Sequence, residues 1–116
     1  MRAAGTRFEQ QAWTALERAG LVLLARNYTS RYGEIDLIAR DGDSVVFVEV
    51  RQRAGAAHGD AAASVTPAKQ ARLIRTARLW LAAHPEHAWR ACRFDVVSFD
   101  GAAARMRWLR GAFEAE

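Results

Sequence analysis

The sequence predicts a mixed α/β domain whose elements follow the order αβββαββ. Two stretches, one near the N terminus and one after Thr66, carry apolar residues at helical spacing. Between and after them lie short runs rich in β-branched and aromatic residues, which favour strands. Asp-Gly pairs at residues 41–42 and 100–101 are typical of hairpin turns. A chain of 116 residues has the size of one domain, so residues 1–116 are expected to share a single core.

The first predicted element is a helix over residues 7–19. Its apolar residues recur on one face, at Phe8, Ala12 and Leu16. Gly20 follows the last turn, where glycine commonly ends a helix. Thr6 and Glu9 have the spacing of a capping box, in which the two side chains satisfy backbone N–H groups of the first turn. Glu9 therefore has a structural interpretation in addition to any chemical one.

Residues 21–28 are predicted as the first strand, and residues 33–40 and 44–53 as a hairpin. Alternation along the first hairpin strand places Ile35 and Leu37 on one face and Asp36 on the other. A turn with an even number of residues puts Asp36 opposite or diagonal to Glu49. A three-residue turn instead sends the two carboxylates to opposite faces of the sheet.

The second half of the chain supplies a loop, a helix and two strands. Residues 54–64 are small and contain glycine, which predicts a mobile surface loop. Thr66 is the expected N-cap of the second helix, with Pro67 at its first position and Pro85 beyond its end. Residues 91–99 and 104–109 are predicted as the last two strands.

The two acidic residues of the hairpin lie in segments that otherwise read as half-buried strands. Burying a carboxylate without a partner costs several kcal/mol, so Asp36 and Glu49 require compensation. A divalent metal is one explanation, because Mg²⁺ takes one or two carboxylates and keeps water as its other ligands. The alternative is a set of cross-strand salt bridges to Arg51 or Arg53. Sequence spacing alone leaves both interpretations open.

The balance of charge favours a polyanionic partner. Net charge is +4 and the pI is about 10.2, and 16 of the 17 basic residues are arginines, whose planar guanidinium suits phosphate. The residues predicted to contact nucleic acid are Arg26, Arg31, Arg53, Lys69 and Arg72. Each of them is also explained by an ordinary solvated surface. With one cysteine, no intrachain disulfide and no apolar run of membrane-spanning length, a cytoplasmic protein is expected.

The string GEIDLIA, a short turn and VFVEVRQR resemble the signature of the YraN family. These are small bacterial proteins with the restriction-endonuclease-like fold of the PD-(D/E)xK nucleases. The resemblance extends along most of the chain, through Gly5-x-x-x-Glu9 near the start and RFDVV near the end. It implies a central mixed β-sheet flanked by helices. It also implies similarity to Holliday-junction resolvases, for which a homodimer is expected because junction cutting needs two sites.

The resemblance assigns roles to four residues. Asp36 and Glu49 correspond to the metal-binding acids of the related nucleases, with Glu9 as an assisting ligand and Mg²⁺ or Mn²⁺ as the metal. Arg51 stands where those nucleases have lysine, and its side chain does not release a proton in proteins, so it is expected to orient and neutralise phosphate rather than act as a base. No cofactor-binding residue is expected besides these metal ligands.

Two functions follow as expectations. One is metal-dependent hydrolysis of phosphodiester bonds in DNA, branched or otherwise structured, with Asp36, Glu49, Arg51 and Glu9 as the catalytic set. The other is a nucleic-acid-binding module that retains the nuclease fold without catalysis, which the arginine at position 51 favours. The sequence does not distinguish DNA from RNA.

Overall fold

The computed structural model describes residues 3–53 and 62–115, with side chains over residues 7–53 and 63–115. The described residues form two α-helices and five β-strands in the predicted order. Their bounds are α1 Ala3–Arg18, β1 Val22–Ser30, β2 Gly33–Asp41, β3 Ser44–Arg53, α2 Pro67–Ala83, β4 Cys92–Asp100 and β5 Arg105–Phe113. Two short 3₁₀ helices, Ala62–Ser64 and Pro85–His87, precede and follow α2.

The five strands form one mixed sheet in the order β1-β2-β3-β4-β5. Only β3 and β4 are parallel, and α2 lies in the connection between them. The other neighbours are antiparallel. Two apolar clusters cover the faces of the sheet, one built with α1 and one with α2. The predicted mixed α/β architecture is therefore confirmed.

Helix α1 buries the predicted stripe but begins earlier than predicted. Phe8, Ala12 and Leu16 are at most 5% exposed and pack against β2, β3 and β4. The helix begins at Ala3, so Thr6 lies inside it and the predicted capping box at its start is wrong. The physical reason is that Thr6 is preceded by helical residues, whereas a capping residue must have a non-helical backbone.

Helix α2 begins where the sequence predicts. Thr66 has an extended backbone and its hydroxyl accepts a hydrogen bond from the Lys69 N–H at 3.2 Å. Pro67 follows at the first helical position, and the helix ends at Ala83, before Pro85. Most of the predicted mobile loop, residues 54–61, lies outside the described residues. Residues 62–64 form a 3₁₀ helix rather than a loop.

The hairpin turn has two residues, Gly42 and Asp43, because Asp41 pairs with Ser44. Gly42 has φ +59°, a conformation that glycine adopts without steric cost. This is the even-numbered turn that brings Asp36 and Glu49 towards each other. Alternation along β2 is not continuous, however. Ile35 packs in the α2 cluster instead of joining Leu37 in the α1 cluster, so the predicted shared face of these two residues is wrong.

Asp95 has a structural role on β4. Its buried carboxylate receives two hydrogen bonds from Arg93, at 2.9 and 3.2 Å, and one from Trp108 Nε1 at 2.9 Å. The Gly111 N–H donates a further one at 3.0 Å. These bonds tie β5 to β4 at an irregularity in their register, and β5 continues to Phe113, four residues beyond the predicted strand.

Within the described ranges, neither helix combines the length and the hydropathy that crossing a membrane requires.

Candidate metal and phosphate site

The candidate site lies where β2 and β3 separate. Their ladder runs from the turn as far as the pair Leu37 and Val48 and ends there. By contrast, β2 stays paired with β1 as far as Gly33, and β3 stays paired with β4 as far as Arg53. The sheet therefore divides into two parts beyond Leu37. Asp36 is the first residue of β2 past this division.

Asp36 is held at the division by the backbone of β3. Its Oδ2 accepts a hydrogen bond from the Val50 N–H at 2.8 Å, in the place of a strand-to-strand bond. On the other side, Asn27 of β1 has φ +52°, a left-handed conformation that asparagine tolerates better than most residues. This local break accompanies the reversal of side-chain direction between Ile35 and Leu37.

Other carboxylates lie near enough to Asp36 for their charges to act on it. The pKa of Asp36 is raised to about 7, chiefly by burial and next by the nearby charge of Glu49, against the lowering effect of the Val50 hydrogen bond. The charges of Glu9 and Glu34 act in the same direction as Glu49. Glu9 and Glu49 are themselves buried, at 5% and 6% exposure. The site thus concentrates negative charge away from water, which is costly unless a cation compensates it.

Two basic side chains partly supply that compensation at Glu49. The ammonium of Lys69 lies 3.2 Å from Glu49 Oε2, and NH1 of Arg51 donates to the same oxygen at 3.4 Å. The salt-bridge alternative to a metal is therefore met in part, by a pair of residues that both lie on β3 and not on neighbouring strands. Lys69 reaches the site from the first turn of α2, so its contact with Glu49 joins residues 20 positions apart, which no local sequence pattern reveals.

Arg51 also carries an unsatisfied group. Its Nε is buried and has no hydrogen-bond partner among the described residues. Its side chain is 30% exposed as a whole, so the guanidinium lies at the boundary between the site and solvent. A buried donor without an acceptor costs about 1–3 kcal/mol, and an oxygen-bearing ligand is one acceptor that could satisfy it.

The residues present suit a hard divalent cation held by two carboxylates and water. Asp36 and Glu49 lie at the division of the sheet, with Glu9 close enough to Asp36 to raise its pKa. Carboxylate oxygens are the ligands that Mg²⁺ and Mn²⁺ prefer. In the described part of the chain, no three His, Cys, Asp or Glu side chains come together as a ready-made metal cluster. The fit is therefore to a site with few protein ligands rather than to an all-protein cage.

The structure distributes the predicted nucleic-acid contacts over several places. Lys69 lies in the site itself, and Arg31 lies over the ring of Tyr32 in the turn between β1 and β2. Arg72 is exposed on α2. Arg26 extends towards α1, where NH1 donates to Gln10 at 3.1 Å.

Arg53 has a structural partner. Its guanidinium donates to both carboxylate oxygens of Asp100, at 2.9 and 3.1 Å, and both side chains are 13% exposed. These bonds lower the pKa of Asp100, and the neighbouring charge of Arg107 lowers it further. Arg107, an exposed residue opposite Ser98, was not among the predicted phosphate contacts. Its place opposite Ser98 follows from the regular antiparallel pairing of β4 and β5 beside the turn at Gly101.

Comparison with known proteins places the chain in a family. Residues 8–99 match the model of the uncharacterised protein family UPF0102. A UPF0102 protein of Bordetella avium is 57% identical over 112 residues, which cover 97% of this chain and 75% of the relative. A UPF0102 protein of Yersinia enterocolitica is 53% identical over 116 residues, which cover 99% of this chain and 97% of the relative. A UPF0102 protein of Alkalilimnicola ehrlichii is 54% identical over 111 residues, which cover 96% of this chain and 86% of the relative.

These matches confirm the family resemblance found in the sequence, since UPF0102 is the YraN family. The chain belongs to the uncharacterised protein family UPF0102.

Proposed function

We propose that this protein is a metal-dependent nuclease that hydrolyses phosphodiester bonds in DNA, with Mg²⁺ or Mn²⁺ as its cofactor. The single observation that carries the proposal is the position of Asp36. A carboxylate placed beside Glu49 and Glu9 at the division of the sheet, with a pKa raised to about 7, is costly to the fold without a cation.

The remaining residues fit the chemistry. Asp36 and Glu49 would hold the metal, and Glu9 would assist from α1. A divalent metal held there would polarise a phosphate oxygen and lower the pKa of a bound water molecule. Arg51 would neutralise charge that develops on the phosphoryl oxygens. The sheet with one helix on each face, and the family resemblance, support a restriction-endonuclease-like fold for this domain. Branched DNA is the proposed substrate, and a homodimer would present two sites to it.

The experiment is a cleavage assay with purified protein, synthetic four-way-junction and single-stranded DNA, and Mg²⁺ or Mn²⁺. Wild type should cut at least one substrate, and both Asp36→Ala and Glu49→Ala should abolish cutting. Glu17→Ala is the matched control, because it removes an exposed carboxylate at the far end of α1. Activity that survives in both site variants would refute the assignment of the site.

One observation favours the second candidate, a nucleic-acid-binding module without catalysis. Glu49 Oε2 is paired with both Lys69 and Arg51, so cations of the protein itself already neutralise one metal ligand. This alternative predicts salt-sensitive binding of DNA that does not depend on divalent metal. Cleavage in Mg²⁺, or binding that requires it, would exclude the alternative.

A further inference from the structure

We propose that Lys69 is a catalytic residue of the nuclease site and that its ammonium contacts the scissile phosphate. The inference rests on the proposed function and adds to it a residue from outside the hairpin. Lys69 is the only lysine in the chain. Its Nζ lies 3.2 Å from Glu49 Oε2, on an oxygen that also faces Arg51.

The start of α2 fixes the base of the Lys69 side chain. The Thr66 hydroxyl accepts the Lys69 N–H, and Gln70 Nε2 donates to the Val65 carbonyl at 2.9 Å. Val65 is 1% exposed and anchors this turn in the α2 cluster. The backbone of Lys69 is thus held by a cap and by a buried apolar residue, while its four-carbon stem leaves the ammonium free to pivot.

Exposure indicates from which side a substrate would meet the ammonium. The Lys69 side chain is 36% exposed and the Glu49 side chain 7%, so Lys69 lies between the buried carboxylate and solvent. A phosphate approaching Glu49 from solvent therefore encounters Lys69. If Glu49 held a divalent cation, its attraction for Lys69 would weaken, and a nonbridging phosphate oxygen would offer the ammonium a new acceptor.

Arg51 is less suited to this exchange. It lies on strand β3, its Nε is buried, and its rigid planar guanidinium lies against Glu49 at 3.4 Å. Arg51 and Lys69 would then have different roles. Arg51 stays on Glu49 and supplies positive charge beside the phosphoryl oxygens, whereas Lys69 donates hydrogen bonds to the phosphate, with no proton transfer required of either.

The test compares Lys69→Met with Lys69→Arg and with Arg18→Met. Arg18 is an exposed cation at the C-terminal end of α1, remote from the division of the sheet, so it controls for loss of one positive charge. Single-turnover cleavage of the four-way junction should fall by about 100-fold or more in Lys69→Met, as for loss of one donor to a developing oxyanion. It should recover partly in Lys69→Arg and change less than about 2-fold in Arg18→Met.

Two further readouts do not depend on cleavage. In Ca²⁺, which replaces the catalytic metal, binding of the same junction is measured against salt concentration. The slope of log K against log salt should fall by about 0.9 in Lys69→Met, the value for one lost phosphate contact. Calorimetric titration with Mn²⁺ should show that Lys69→Met binds the metal at least as tightly as wild type, because Lys69 is not a ligand.

The outcomes separate the two proposals. If wild type cuts the junction and Lys69→Met cuts it equally well, the inference on Lys69 is wrong and the nuclease function stands. If Lys69→Met loses Mn²⁺ affinity, Lys69 acts by shaping the metal site and the phosphate contact is wrong. If wild type neither binds nor cuts any DNA, the proposed function fails, and this inference fails with it.

Discussion

Replacing Asp36 with asparagine should stabilise the folded protein at pH 8. The amide is nearly the same size as the carboxylate, and its oxygen can still accept the Val50 N–H. The charge that burial and the neighbouring Glu49 disfavour is removed. A substitution in an acidic ligand site commonly exchanges function for stability in this way.

The size of this stability gain and its dependence on pH follow from the pKa of Asp36. In the folded protein the pKa of Asp36 is about 7, against 3.8 for an unperturbed group. The folded state therefore holds the proton more tightly than the unfolded state, and its contribution to stability is complete below about pH 3.8 and lost as the pH rises through about 7. A pKa difference of this size corresponds to about 4 kcal/mol. We expect Asp36→Asn to gain about 2–4 kcal/mol over wild type at pH 8 and to differ little from it near pH 4.

Urea denaturation at pH 4, 6 and 8, followed by tryptophan fluorescence without divalent metal, measures this difference. Asp43→Asn is the control, since Asp43 is 86% exposed and its removal should alter the free energy of unfolding by less than about 1 kcal/mol. If Asp36→Asn were as stable as wild type at pH 8, or less stable, burial and the neighbouring acids would not disfavour the charge of Asp36. The main argument for a metal at the site would then be lost.

Substitutions at three other positions test the structure. Asp95→Ala should destabilise the protein by about 3–5 kcal/mol, because it removes the buried acceptor shared by Arg93, the Trp108 indole and the Gly111 N–H. Arg93 keeps its pairing with Asp41. A loss below about 1 kcal/mol in urea denaturation would contradict this role of Asp95. Thr66→Ala should cost about 1 kcal/mol through loss of the α2 cap, whereas Thr66→Ser should be nearly neutral in the same assay. Asn27→Gly should raise the thermal midpoint relative to Asn27→Ala by the equivalent of about 1–2 kcal/mol, because φ +52° strains alanine; equal midpoints would argue against the local break in β1.

The elements that the sequence predicted well are those specified by neighbouring residues. The two-residue turn at Gly42 and Asp43 follows from glycine chemistry and from alternation in the flanking strands. The start of α2 follows from Thr66 and Pro67, whose effects act within one helical turn. The convergence of Asp36 and Glu49 was an expectation derived from the turn length, and the charge of Glu49 at Asp36 agrees with it.

The features that the sequence did not predict depend on distant parts of the chain. Ile35 turns to the α2 side because β2 leaves β3 beyond Leu37 while remaining paired with β1, and periodicity within β2 contains no sign of this. The early start of α1 at Ala3 was hidden by a capping signal at Thr6 that the helix does not use. Similarly, the pairing of Arg53 with Asp100 depends on the parallel register of β3 and β4.

The contact between Lys69 and Glu49 has the same origin. The path of the connection between β3 and β4 decides where α2 begins relative to the sheet, and that path is a tertiary property. From the sequence, Lys69 was only one of several predicted phosphate contacts. The structure distinguishes it from Arg53, which is held by Asp100, and from Arg26, which extends to Gln10 on α1.

Whether Asp36 binds a metal is measured most directly by titrating wild type and Asp36→Asn with Mn²⁺ in a calorimeter at pH 8. The proposed site predicts saturable binding by wild type and at least a tenfold loss of affinity in the variant, because the asparagine amide replaces a charged ligand. Equal binding by the two proteins, or none by either, would contradict the metal site on which the proposed nuclease function depends.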